Sequence, residues 1–347
     1  MTRTLRRAAA LLTALTLLLT GCGGGEEPSS VPVETTTTTA TTTTTTTKPP
    51  LGLNALTGVE DMKTDNDRPI GFVVTDEDQY HVQIGLDKAD MYFESETEAG
   101  IPRILAIFSS IDRIPDEIGP VRSARPHFVK FAAGMDAMYG HIGGSRTGLD
   151  TIRALGVAEI GSAEHINSVL AASKNRSWNR KTFVASKVRS EAANRGHRLT
   201  TDADAPFVFG NKTGSAVANT VVVRISHSYH MAFTYDSAKG VYQKHRNSLD
   251  TPIHTVHGGG NIEVSNVIVL YDTRQVDPKD ANRCDYPLVS GSGTVASGGT
   301  SRGMRWARDD SGLHFYESDG TTPLAVATGK TYVCLVNEAL KSGTKIS

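Results

Sequence analysis

Two short stretches hold the residue types that a binding or catalytic site needs. GPVRSARP (119–126) places Arg122 and Arg125 three apart between prolines. HIGGSRTG (141–148) sets His141, Gly143, Gly144 and Ser145 just ahead of a helix-like run. Pro126 suits the first turn of a helix. Arginine at that point opposes the helix dipole, a cost more easily met if a ligand anion or a buried carboxylate lies between the guanidiniums and the helix start. Gly143 and Gly144 allow backbone torsions that other residues avoid, and their N–H groups could form an anion-binding nest. Ser145 or Thr147 is placed to cap the next helix. A nucleophilic Ser145 lacks the Gly-x-Ser-x-Gly frame, since Thr147 occupies the last position. His141 ends a strand and points toward the same turn. The structural alternative pairs the arginines with Glu94, Glu98, Asp112 or Asp116.

MYFESETEAGIPR (91–103) adds Glu94, Glu96, Glu98 and Arg103. If the strand persists, alternation puts the three carboxylates on one side. Paired carboxylates divide acid and base roles in glycoside cleavage when their environments differ; they serve equally as partners for the arginines. The catalytic candidates are therefore Glu94, Glu98 and His141, and the ligand-binding candidates are Arg103, Arg122, Arg125, His141, Gly143, Gly144 and Ser145. His227 with His230 and His254 with His257 form two further pairs. Alternation sends the first pair to opposite faces, so no metal or other cofactor is expected. Trp306, Tyr316 and Tyr332 fit a sugar groove or, more commonly for strand aromatics, a core.

The elements that must position these residues read as an α+β protein. IGFVV (70–74), ADMYFES (89–95), RILAIF (103–108) and DAMYGHI (136–142) are short and apolar or alternating, as strands are. ARPHFVKFAAGM (124–135) reads as a helix with Phe128, Phe131 and Ala132 on one face. TGLDTIRALG (147–156) puts Leu149, Ile152 and Leu155 together and ends at Gly156. SKVRSEAANRG (186–196) is a third helix. From Thr220 onward, strand-like runs separated by Gly, Asp or Asn replace this mixture, and none is helical. YDSAKGVY and YESDGTTP carry hairpin turn residues. The reading is a mixed α/β domain over 53–200 followed by a β-rich domain over 219–338.

Ahead of both lies an export address. Arg3, Arg6 and Arg7 precede an apolar run from about Ala8 to Leu19, followed by LTGC. The run is shorter than the roughly 20 residues of a spanning helix, so residues 1–21 read as a signal peptide. Leu19, Thr20, Gly21 and Cys22 fit a bacterial lipobox that makes Cys22 the lipidated N-terminus. A single acylated cysteine holds a chain on a membrane surface without crossing it. Residues 22–52 are Thr-rich, with almost no apolar side chains. Such a segment cannot offset its chain entropy and reads as a disordered tether, reaching on the order of 30 Å as a coil. Thr-rich tracts with proline are also common O-glycan acceptors. Of 36 Lys and Arg, three fall in the leader, which leaves 33 bases against 37 acids, a balance of −4. That gives no general reason to expect nucleic acid as a partner. Beyond Cys22 only Cys284 and Cys334 remain. Export permits a disulfide between them, and their spacing does not decide it. Neither lies in a zinc-like pattern.

The segments ADMYFESETEAGIPRILAIF, IGPVRSARPHFV, YGHIGGS, NVIVL and RGMRWARDDSGLHFYESDGTTPLAVATGKTYVCLV, in that order, make the chain resemble the YerB-like bacterial lipoproteins from about Leu53 to Asn337. The resemblance implies an N-terminal and a C-terminal domain, each of unknown function, on the extracytoplasmic face of the cell membrane. It implies no reaction. Where that family often carries a Pro-His-Asn trio, this chain reads WNRKTFVASK, so no role tied to the trio carries over. The leading functional reading is a lipid-anchored envelope protein that binds an anionic wall component through its Arg/Gly-rich site. One alternative is an envelope hydrolase or transferase using Glu94 or Glu98 with His141. The other is a scaffold whose β-rich half docks a protein partner of unknown identity.

Overall fold

The computed structural model describes residues 52–60, 66–77, 83–172 and 180–347. The leader, Cys22, and all of the Thr-rich tether but its last residue lie outside them.

Alternation along the strands decides the architecture. Met91, Phe93, Leu105 and Ile107 enter one apolar core, and Tyr92, Ile104, Ala106 and Phe108 enter another. These are the two faces of a single sheet, since successive strand side chains point opposite ways. The first half of the chain supplies β1 (Ile70–Thr75), β2 (Met91–Glu96), β3 (Pro102–Phe108), β4 (Met138–Gly140) and β5 (Glu159–Ile160). The second half begins with a separate sheet of β6 (Thr220–Arg224), β7 (His230–Asp236), β8 (Val241–His245) and β9 (Glu263–Val264). It then returns to the large sheet with β10 (Asn266–Asp272), β11 (Ser290–Ser297), β12 (Thr300–Asp309), β13 (Gly312–Glu317) and β14 (Thr331–Asn337). A last strand, β15 (Lys345–Ile346), closes the edge of the smaller sheet against β6.

The large sheet runs β13-β12-β11-β10-β14-β2-β3-β1-β4-β5. Its pivot is β14, which pairs in parallel with β10 on one side and with β2 on the other. Strands of both halves are thus neighbours in one sheet. TYVCLVN is suited to this place. It is a continuous apolar run buried on both faces, as parallel strands are. Tyr92 of β2 stacks on Tyr332 of β14 with ring centroids 5.1 Å apart.

Helices cover the sheet's outer faces. α1 (Pro126–Gly134) lays Phe128, Phe131 and Ala132 on the core that holds Phe93, and Phe131 stacks on Phe93 at 3.9 Å. α2 (Arg146–Leu155) ends at Gly156, whose φ of 61° is the left-handed cap that glycine accepts most readily. Leu149 and Ile152 pack inward, but Leu155 is 42 % exposed, because the helix ends there and its final residue turns out over the rim. A short α3 (Ile166–Val169) precedes α4 (Ala185–Asn194). Beyond Thr220 the described residues hold strands and one 3-10 turn, Glu338–Gly343. The two hairpins form at the anticipated turns. Asp236 accepts from the Ala238 and Lys239 amides, and Asp319 from those of Thr321 and Thr322.

Cys334 belongs to one face's core and Cys284 to the other's, and both are free, buried thiols. Burial pushes the Cys284 thiol up to about 12, with Glu96 adding to the shift. Trp306 and Tyr332 are wholly buried in core positions, which leaves neither to line a sugar groove.

Candidate functional site

The arginines gather around the turn between β2 and β3. β2 stops at Glu96, so Glu98 sits in a 3-10 turn and not on the strand. Glu98 meets Arg125, which caps α1 from an extended backbone. The Arg125 Nε donates to Glu98 Oε2 at 2.7 Å, its Nη2 donates to Oε1, and its Nη1 donates to the Ala124 carbonyl at 2.8 Å. This two-pronged pairing is the geometry in which a guanidinium binds carboxylate best. Arg103 reaches the same carboxylate at 3.4 Å and donates to the Ser123 carbonyl at 2.9 Å. Arg122 is held one strand away. Its backbone bridges Val73 and Ile142, and its Nη2 donates to Glu77 at 3.2 Å.

A buried guanidinium, Arg125, and a half-buried one, Arg103, therefore share one carboxylate. Burial would raise Glu98, but the Arg125 hydrogen bonds and the charges of Arg103 and Arg125 outweigh it and bring the carboxyl down to about 2. A group that acidic holds no proton to donate near neutrality. Burial, then the charge of Arg125, depresses Arg103 to about 10, with Glu98 opposing. The turn that carries Glu98 continues into the rim of a cavity of about 330 Å³. Its walls are Glu77, Ala99, Gly100, Ile101, Pro102, Ser228 and Tyr229, drawn from both halves. A larger hollow of about 610 Å³, lined by Asp136, Arg198, Asp309 and their neighbours, contains none of the catalytic or ligand-binding candidates.

The glycine turn lies against the same segment through its backbone: the Ala124 amide donates to the Gly143 carbonyl at 2.9 Å, and the Ser145 amide to the Ala124 carbonyl at 3.1 Å. His141 is buried, with Nδ1 2.7 Å from the Gly143 carbonyl and Nε2 3.1 Å from Glu159 Oε2. The hydrogen bond and charge of His141 hold Glu159 below its ordinary range against the effect of burial. Gly143 takes φ of 61°, and an added Cβ at Gly144 would come within 2.9 Å of Leu149. Ser145 is the cap of α2, accepting from the Gly148 amide at 2.9 Å. Its hydroxyl is engaged there, with no base among its hydrogen-bond partners in the described residues. Ser145→Ala should cost about 1 kcal/mol, the ordinary value of such a cap, read as a lowered urea midpoint with unchanged slope.

Glu94 and Glu96 part company. Both lie on β2, Glu96 as its last residue, yet their carboxylates do not meet. Glu96 Oε1 accepts from Tyr286 at 2.8 Å and pairs with Arg274 at 3.0 Å. Glu94 enters a different environment, a buried charge cluster that the sequence reading did not anticipate. Lys244 Nζ lies 2.9 Å from Asp76 Oδ2, 3.8 Å from Glu94 Oε2 and 3.2 Å from His254 Nδ1. Tyr332 donates to Glu94 at 2.5 Å, Tyr229 to Asp76 Oδ2 at 2.9 Å, and Gln83 meets both Asp76 and His254. Asp76, Glu94, Lys244 and His254 are all wholly buried. Burial alone would raise Asp76, yet the charges of Lys244 and His254 hold it below its usual range. Glu94 goes the other way, pushed well up by burial and then by Asp76, against the pull of Lys244. Burial would lower Lys244, but Asp76 and Glu94 outweigh it and raise it. One signal was present in the sequence. In VYQKH the period of two puts Lys244 on the inward face with Tyr242, where an unpaired ammonium cannot stay. Of the other histidines, His227 is exposed beside Arg224, and His257 is tied to Gln83 only through its backbone. The described residues hold no group of three metal-ligating side chains.

With this geometry in place, the comparisons fall on both halves. Residues 56–198 match the family described as "Protein of unknown function (DUF3048) N-terminal domain", and residues 221–333 match its C-terminal counterpart. The chain is 26 % identical over 250 residues to "Putative lipoprotein YerB" of Bacillus subtilis (strain 168), spanning 68 % of this chain and 72 % of that one. It is similar in fold to the crystal structure of Bacillus subtilis YerB, with a TM-score of 0.72 at 24 % identity, covering 84 % of this chain and 98 % of that one. The order of motifs, the shared fold and the two matching halves converge, and the chain belongs to the YerB-like family.

Proposed function

We propose that the chain is a lipid-anchored binding protein of the cell envelope, held to the membrane through Cys22, that takes an anionic envelope component beside Arg103. The observation that carries this is the pairing of Arg103 and Arg125 with Glu98 in a turn whose next residues, Ala99 to Pro102, line a cavity of about 330 Å³. A second negative group beside them would relieve the repulsion between Arg103 and Arg125, in a setting where charge–charge terms exceed their value in water. Carboxylates of wall peptides and phosphates of wall polymers share the needed chemistry. The location draws support from a relative whose name is that of a lipoprotein, and among the described residues no helix is long and apolar enough to cross a membrane. Binding without turnover fits better than hydrolysis here, because Glu98 is held ionised and Glu94 is sealed from the groove.

A thermal-shift series tests this on the full chain in detergent, with muropeptides and phosphate-bearing wall polymer as separate probes. Ligand at about 100 times its Kd should add about 2.7 kcal/mol to the wild type, and Arg103→Ala should lose that gain. Absence of a shift with either probe, or an equal shift in Arg103→Ala, would contradict the assignment.

A further inference from the structure

The buried cluster holds the parts of a covalent cross-link. We propose that Lys244 and Asp76 join in an intramolecular isopeptide bond, with Glu94 as the acid that assists it. The geometry is that of an amine poised on a carboxyl group: Nζ lies 2.9 Å from Asp76 Oδ2, and Glu94 Oε2 lies 3.8 Å from Nζ. All three side chains are wholly buried, and the Tyr332 ring lies 5.8 Å from the ammonium. A buried salt bridge of this kind carries a large desolvation cost, which the neutral amine and carboxylic acid do not. The ion pair is the resting form, with Lys244 holding Asp76 ionised; transfer of one proton from Lys244 to Asp76 gives the neutral pair that reacts.

The Nζ lone pair then forms a bond to Asp76 Cγ. The oxygen that departs from Cγ leaves as water, taking its second proton from Glu94, which recovers one from the nitrogen. Ammonium plus carboxylate become amide plus water, and no oxidant or cofactor enters. Burial and the neighbouring Asp76 keep Glu94 protonated, as this role requires. Tyr229 donates to the same Asp76 oxygen and also lines the open groove, which marks the exit for the released water. The bond would staple the end of β1 to β8, positions 168 residues apart.

The test is peptide mass measurement on a protease digest of the full chain extracted from membranes. The expected result is a branched peptide joining the Asp76 and Lys244 segments, lighter than their sum by one water. It should be lost in Lys244→Arg, which keeps the positive charge without the amine, and in Glu94→Gln. A wild-type digest containing only the two linear peptides at full mass overturns the proposal. Undiminished cross-link in folded Glu94→Gln removes Glu94 from it. If Glu94→Gln does not fold, the wild-type mass still decides the bond.

Discussion

Lys244→Met is expected to lower the free energy of unfolding by at least about 3 kcal/mol, within the 3–5 kcal/mol typical of breaking a buried ion pair from one side. Methionine keeps the length of the stem, so little packing is lost. What remains is Asp76, wholly buried, stripped of the cation that holds it ionised and still close to Glu94. It must either stay charged in an apolar setting or take up a proton from solvent, and both cost stability. The double variant Asp76→Leu, Lys244→Met removes both charges and should recover much of the loss, since well-packed apolar replacements of buried pairs are often neutral. Urea unfolding gives both numbers. A covalent Lys244–Asp76 link would enlarge the single-variant loss, so the figure is a floor. A loss under about 1 kcal/mol would mean that the cluster does not hold the halves together.

The second large effect is a pair of opposing pH dependences. Burial, with Lys244 and Arg246, lowers His254 to about 3 despite Asp76. As pH falls from about 6.5, the unfolded chain takes up a proton that the folded chain refuses. Stability is therefore whole above about 6.5 and falls toward about 3, by about 1.4 kcal/mol per unit. Glu94 is raised, so the folded chain keeps a proton that the unfolded chain releases above about 4.5. Its contribution is whole below that value and is lost as pH rises. Between about 4.5 and 6.5 the two slopes oppose each other, and the buried His127, also held well below its ordinary value by burial, adds to the first. Relative to the wild type, Glu94→Gln should steepen the loss of stability on acidification, and His254→Gln should lessen it by about 1.4 kcal/mol per unit. Urea midpoints at pH 4.5, 5.5 and 6.5 separate them. Parallel curves for the two variants would show that these shifts are absent.

Much of the fold was legible. The periods of two and 3.6 placed β1 to β4 and the three longer helices within a few residues, because each presents an unbroken apolar face. Ser145 and Gly156 cap α2 as their types require. Arg125 and Glu98 meet, which the charge pattern allowed. What could not be read was long-range. Nothing local in TYVCLVN says that it lies between β10 and β2. The sharing of one sheet by both halves, and the meeting of Asp76 with Lys244, follow from that insertion. Alternation also failed at Glu94 and Glu96, two residues apart on β2, whose carboxylates reach different surroundings, Glu94 toward Lys244 and Glu96 toward Arg274 and Tyr286.

Both the groove beside Arg103 and the buried cluster exist only if the two halves are one cooperative body, and hydrogen exchange in rising urea addresses this most directly. Peptides from β3 in the first half and from β11 and β12 in the second should lose protection at the same midpoint, because β14 bonds to strands of both. Two separate midpoints, with one half still protected after the other has opened, would contradict the claim.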